Sequence, residues 1–152
     1  MNQDIIQSVR EKFIKRFGET PRIFRSPGRV NIIGEHTDYN NGFVLPAAVD
    51  KAVYVGISPR QDEQIILYSE EFSEEHRAEV ATVTSTDKQW PNYVLGVVDQ
   101  LNKRGYKIKG FNLNLDGDVP VGAGLSSSAA VECAVGFALN EVFALGIEKA
   151  EI

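Results

Sequence analysis

Pro120-Val121-Gly122-Ala123-Gly124-Leu125-Ser126-Ser127-Ser128-Ala129-Ala130 sets glycines and three serines between a strand-like run and a helix-like run. Upstream, Phe111, Leu113 and Leu115 alternate with Asn112, Asn114 and Asp116, the period-two pattern of a half-buried strand. Downstream, residues 129–145 are rich in alanine, valine, leucine and phenylalanine, long enough for about four helical turns. Glycine permits backbone geometry that a Cβ forbids and lets the chain approach a ligand closely. The serines fall at the helix start, where unpaired N–H groups and the positive end of the macrodipole attract anions. That pattern makes a phosphate cradle. A small-residue turn with Ser126 or Ser127 as an ordinary N-cap fits the same residues.

Two better-known phosphate loops are excluded. No Gly-Lys-Ser/Thr follows the glycines, and no lysine lies between Lys109 and Lys149. A leucine and three serines follow Gly124, which breaks the Gly-x-Gly-x-x-Gly dinucleotide pattern. The segment instead resembles the ATP-binding loop of the GHMP kinases, small-molecule kinases with the pattern Pro-x-x-x-Gly-Leu-(Ser/Gly)-Ser-Ser-Ala. Pro120, Gly124, Leu125, Ser126, Ser127, Ser128 and Ala129 match it without a gap. This match says little about the substrate.

A second stretch, Gly28-Arg-Val-Asn-Ile-Ile-Gly-Glu-His-Thr-Asp-Tyr-Asn-Asn-Gly-Phe-Val-Leu-Pro46, follows Ser26-Pro27. Val30, Ile32 and Ile33 suggest a short buried strand ending at Gly34. Glu35, His36, Thr37 and Asp38 form a polar loop, and Asn40-Asn41-Gly42 is a turn signal. Such a cluster suits a polyhydroxylated ligand, because carboxylates accept hydrogen bonds from hydroxyls while imidazole donates or accepts. A solvated hairpin connection is the plainer reading. Metal ligation is a third, although near-consecutive residues rarely converge on one ion and no second histidine cluster exists. The stretch resembles the galactokinase signature. A third, Trp90-Pro-Asn-Tyr-Val-Leu-Gly-Val97, resembles that family's Trp-x-Asn-Tyr-x-x-Gly-Val segment. The single tryptophan also suits a core anchor whose N–H needs a partner.

Composition agrees with one domain. The chain has 152 residues and a net charge of -5, with acids and bases interspersed, so no nucleic-acid footprint is visible. Cys133 has no disulfide partner in the sequence and is expected to be buried packing in a reducing compartment. No signal peptide and no apolar run of spanning length is apparent, which makes the cytoplasm the default expectation and a membrane role unexpected.

Periodicity orders the rest. Ile5, Ile6, Val9, Phe13 and Phe17 predict an opening amphipathic helix stopped by Gly18. Ile23-Phe24 and residues 29–33, 43–49, 52–58 and 64–68 predict short strands. Residues 69–75 are acidic and read as a solvated loop, and residues 77–83 as one more strand. Residues 91–104 place Tyr93, Val94, Val97, Val98 and Leu101 on one helical face, with Gly105 ending it. A strand over residues 109–116 precedes the glycine-serine loop. The mixture predicts an α+β domain.

The resemblance adds its own expectations. It implies a GHMP-kinase N-terminal domain (ribosomal protein S5 domain 2-like), a mixed sheet with helices packed on it, over residues 1–152. It implies transfer of the ATP γ-phosphoryl group to the anomeric hydroxyl of galactose, with magnesium. Arg29 matches the family arginine near the reacting groups, and Glu35, His36 and Asp38 match sugar-binding positions. Trp90 matches the adenine pocket, and Gly122, Ala123, Gly124, Leu125, Ser126, Ser127 and Ser128 the phosphate loop, with Ser128 as magnesium ligand. The plainer readings pair Arg29 with a nearby carboxylate and let Ser128 satisfy a helix backbone group. In the family, the catalytic aspartate, a second magnesium ligand and a third glycine-rich motif lie downstream of residue 152. The expectation is therefore an incomplete, inactive N-terminal portion ending in the first turn of another helix at residues 146–152. The alternatives are a kinase for N-acetylgalactosamine or another galactose derivative, and a non-catalytic galactose and ATP sensor.

Overall fold

Alternation and helical spacing together build three layers. In the computed structural model, which describes residues 3–34, 41–119 and 126–152, a mixed five-stranded sheet separates one helix from two others. The chain runs α1 (Gln3–Phe17), β1 (Arg22–Ile33), β2 (Leu45–Pro59), β3 (Gln64–Ser69) and β4 (Glu74–Glu79). It continues through α2 (Gln89–Lys103), β5 (Phe111–Gly117) and α3 (Ser127–Phe143). Strand order is β1-β2-β5-β3-β4, with β3 and β5 parallel and the other neighbours antiparallel.

Because β5 is central, both of its faces are covered. Phe111 and Leu113 join Val53, Val55, Ile57, Ile65 and Leu67 in the main core under α2 and α3. The asparagines on the opposite face are not solvated, as a half-buried strand would have them. Asn112 and Asn114 are buried on the side covered by α1, where Arg60 Nη1 donates to Asn112 Oδ1 at 2.9 Å. Arg60 also forms a two-point pair with Asp62 at 2.7 and 2.8 Å, which holds the Asp62 carboxyl down at about 2. The turn between β2 and β3 is thereby tied to the middle of the sheet. Gly110 allows β5 to enter close beside that turn: a Cβ there would meet the backbone oxygens of Gln64 and Asp62.

Several sequence expectations are revised. Residues 23–33 form one strand, because Pro27 on an edge strand forfeits no ladder bond and the register shift between Pro27 and Arg29 puts the extra residues on β2, where Val49, Asp50 and Lys51 stand opposite Gly28. Residues 45–59 are likewise one strand: where a break was expected at 50–51 the ladder to β1 only bulges, leaving Val49, Asp50 and Lys51 without register partners between the pairs at Ala48 and Ala52. The acidic stretch at 69–75 is a tight turn rather than a loop: Ser69 ends β3, Ser73 takes the left-handed conformation, and Glu74 opens β4. The strand expected at 77–83 stops at Glu79, and Val80–Thr82 form a turn of 3-10 helix. Cys133 is exposed, since the buried stripe of α3 runs through Ala130, Val131, Ala134, Val135 and Ala138 instead. Residues 149–151 form a turn in which Glu151 N–H reaches Glu148 O at 2.9 Å.

Candidate functional site

The placement of α3 along β1 governs the site. Arg22 pairs with Glu141 at 3.6 Å, Phe24 meets Phe137 edge-on at 5.8 Å, and Arg29 Nη2 donates to Ser126 Oγ at 3.1 Å. The contacts run forward along the strand and backward along the helix. A seven-residue strand step covers about 23 Å and a fifteen-residue helical step about 22 Å, so helix and strand keep pace with each other over the whole distance. That match delivers the start of α3 to Arg29, although the two residues are far apart in sequence.

Ser126 occupies the N-cap position of α3 but does not cap. Its backbone is left-handed (φ 54°, ψ 44°) and its side chain makes no cap hydrogen bond. Its hydroxyl instead accepts from Arg29, while its carbonyl takes the first helical bond from Ala130 N–H at 3.0 Å. A serine held there, away from the β-region geometry of a usual N-cap, is strained by its surroundings, and such strain clusters at functional sites. Among the described residues Arg29 meets Ser126 and no carboxylate, and Ser126 does not play an ordinary capping role.

Beside this helix start lies a cavity of about 110 Å³. Ser127 and Ser128 line one side, Trp90 and Tyr93 of α2 another, and Ser69, Glu71 and Phe72 of the β3–β4 turn a third. Trp90 is buried, its Nε1 donating to Glu74 Oε2 at 3.1 Å, and the Phe72 ring lies nearly parallel to the indole at 6.5 Å. Lys88 Nζ reaches the same Glu74 oxygen at 3.2 Å. The Trp90 N–H, and after it the Lys88 ammonium, hold the Glu74 carboxyl below its ordinary range. At the rim, Asp116 is bonded to Lys12 at 2.7 Å, which pushes the Lys12 ammonium up.

The structure thus brings Trp90, Ser127 and Ser128 to one cavity and sets Arg29 against Ser126 at the same helix end. Glu35, His36 and Asp38, with Gly122, Ala123, Gly124 and Leu125, lie outside the described residues. Among the described residues no group of three histidine, cysteine, aspartate or glutamate side chains converges to hold a metal ion.

Residues 11–59 match the family model for the galactokinase galactose-binding signature, and residues 92–152 match the GHMP kinases N-terminal domain. The chain belongs to the galactokinase family. A galactokinase from Chloroflexus aggregans is 46% identical over 150 residues, covering 95% of this chain and 38% of that protein. One from Thermosipho africanus is 44% identical over 128 residues, covering 84% and 35%. The structure of Lactococcus lactis galactokinase complexed with galactose superposes with a TM-score of 0.88 at 39% identity, covering 97% of this chain and 39% of that one. A Methanococcus jannaschii mevalonate kinase shares the fold alone, with a TM-score of 0.70 at 20% identity. The chain spans well under half the length of the galactokinases it matches.

Sequence reading missed Ser69 and Phe72 as parts of this galactokinase-family cavity and Glu74 as the acceptor behind Trp90. They sit in the acidic stretch taken for a loop, and no periodicity flags a turn residue that folds back over a neighbouring helix. One signal was available. A single tryptophan whose N–H needs a buried acceptor calls for a carboxylate or amide close by.

Proposed function

We propose that the protein to which this sequence belongs transfers the γ-phosphoryl group of ATP to the C1 hydroxyl of galactose. The C1 oxygen attacks the γ-phosphorus, the bond to the β-phosphate oxygen breaks, and galactose 1-phosphate, ADP and a proton result. The observation that supports this reading best is the shared cavity. It puts an aromatic wall, Trp90, and the uncapped start of α3, Ser127 and Ser128, within one space. An aromatic wall suits a purine, and the N–H groups of a helix start beside an arginine suit its phosphates.

In this reading the backbone of Gly122, Ala123, Gly124 and Leu125, with Ser126 and Ser127, surrounds the phosphates. Arg29, already at the helix start, stabilises charge that develops on the transferred group. Glu35, His36 and Asp38 orient the sugar by hydrogen bonds to its hydroxyls. The Ser128 hydroxyl, a hard oxygen donor on the cavity wall, suits magnesium, which takes few protein ligands and keeps phosphate and water oxygens. Asp116 is occupied instead, by Lys12 and by the Gly117 N–H at 2.8 Å. Magnesium when bound neutralises phosphate charge. No residue of 1–152 is assigned the role of accepting the C1 proton, so this chain alone is proposed to bind without turning over.

The test is calorimetric titration of ATP and magnesium into the wild-type chain and Gly124→Val. The branched side chain blocks close approach and restricts the backbone. Binding lost in a folded Gly124→Val protein supports the cradle, and unchanged binding removes it.

A further inference from the structure

The Trp90 side chain forms a wall of the cavity, and a wall works only if its plane is fixed. We infer that Glu74 is a positioning residue for Trp90: its carboxylate locks the indole in the orientation that shapes the base end of the cavity. The inference rests on the nucleotide reading above and names the residue behind the surface that the base would touch.

Three observations carry it. Trp90 is only 5% exposed, so its N–H has little access to water and depends on the Glu74 oxygen at 3.1 Å. Without that acceptor the ring would rotate to find another, or leave a buried donor unpaired. The carboxylate is itself anchored. Lys88 Nζ holds the same oxygen at 3.2 Å, and the Glu74 backbone is paired to Ser69, a residue of the cavity lining. Finally, the turn that delivers Glu74 also lays Phe72 parallel to the indole, within 12°. The hairpin therefore grips the ring at its edge and on its face. Phe72 is itself exposed, and its ring covers the indole only while the indole keeps this plane.

Trp90 is the sole tryptophan, so its emission reports this site alone. Fluorescence with acrylamide quenching, plus calorimetric titration of ATP and magnesium, is measured on the wild-type chain, Glu74→Ala, Glu74→Asp and Glu74→Gln. In Glu74→Ala the emission is expected to move to the red, quenching to rise, and ATP affinity to fall about tenfold, the loss of one hydrogen bond to a charged group. Glu74→Asp keeps the charge but withdraws the acceptor by one methylene, so it should behave like Glu74→Ala and serves if that variant does not fold. Glu74→Gln retains an acceptor at the same reach and should restore emission and affinity to within about twofold of wild type. Emission and quenching unchanged in both Glu74→Ala and Glu74→Asp would overturn the inference. A wild type that binds ATP, with variants of altered emission but unaltered affinity, would overturn the link from the indole to the base while leaving the nucleotide reading intact. Altered emission in the variants of a wild type that binds no ATP would support Glu74 as the lock on Trp90 and defeat the nucleotide reading instead.

Discussion

The two halves of β2 have the same backbone conformation and opposite surroundings. From Ala52 to Ser58 every residue is buried, and Val53 to Ile57 pair with β1 on one side and β5 on the other, with α1 on one face and α2 and α3 on the opposite face. From Leu45 to Lys51 the strand pairs with β1 alone and is largely exposed. Ile32, Ile33 and Leu45 on this arm keep more than half of their surface exposed. A two-stranded ribbon is marginal by itself, so the inner half stabilises the outer one. The difference separates two jobs. The inner half holds the domain together, and the outer half carries Arg29 out to the start of α3.

Substitutions on the two sides should therefore differ in size. The largest effect is expected from Leu113→Ala in β5, beside the inner half of β2. Its side chain is fully buried, and removing it leaves a cavity that costs about 2–5 kcal/mol. Urea unfolding with an unchanged m-value would show this, and a loss below 1 kcal/mol would mean that the inner half is not the stable centre.

Asn114→Val should come next, with the opposite sign. Asn114 is fully buried on the α1 side of β5, and neither polar atom of its side chain has a hydrogen-bond partner. Replacing it with a β-branched apolar residue of similar volume relieves that burial and should raise stability by about 1–3 kcal/mol. A drop in the melting temperature would show instead that the amide has partners in solution.

The smallest effect belongs to the arm. Ile32→Ser alters a side chain that is 62% exposed, so unfolding should move by no more than about 0.5 kcal/mol. A loss approaching that of Leu113→Ala would abolish the distinction between the halves.

The elements were legible where periodicity was strong. The spacing of Val9 and Phe13 announced α1, and the alternation through Phe111 and Leu113 announced β5. The motif at 90–97 begins at the second residue of α2. Boundaries were lost wherever a breaker residue sat in a tolerant place. Pro27 lies on an edge strand, and the Asp50–Lys51 pair sits in a bulge, with the ladder to β1 resuming on both sides of it. Cys133 was misplaced because α3 is apolar nearly all round, so hydropathy could not tell its buried stripe from its exposed one.

The sequence by itself determined the family, through three ordered motifs whose residue types suit a phosphate, a sugar and an aromatic pocket. It determined them because short-range chemistry is written in adjacent residues: glycines where a backbone must approach, serines at a helix start, an Asn-Asn-Gly turn. Only the tertiary structure decided that Arg29 meets Ser126, that Trp90 shares a cavity with Ser127 and Ser128, and that Glu74 takes the indole N–H. Those contacts depend on α3 packing along β1 and on a hairpin folding back over α2. Both arrangements are set by the packing of distant apolar faces, and no local run of residues encodes them.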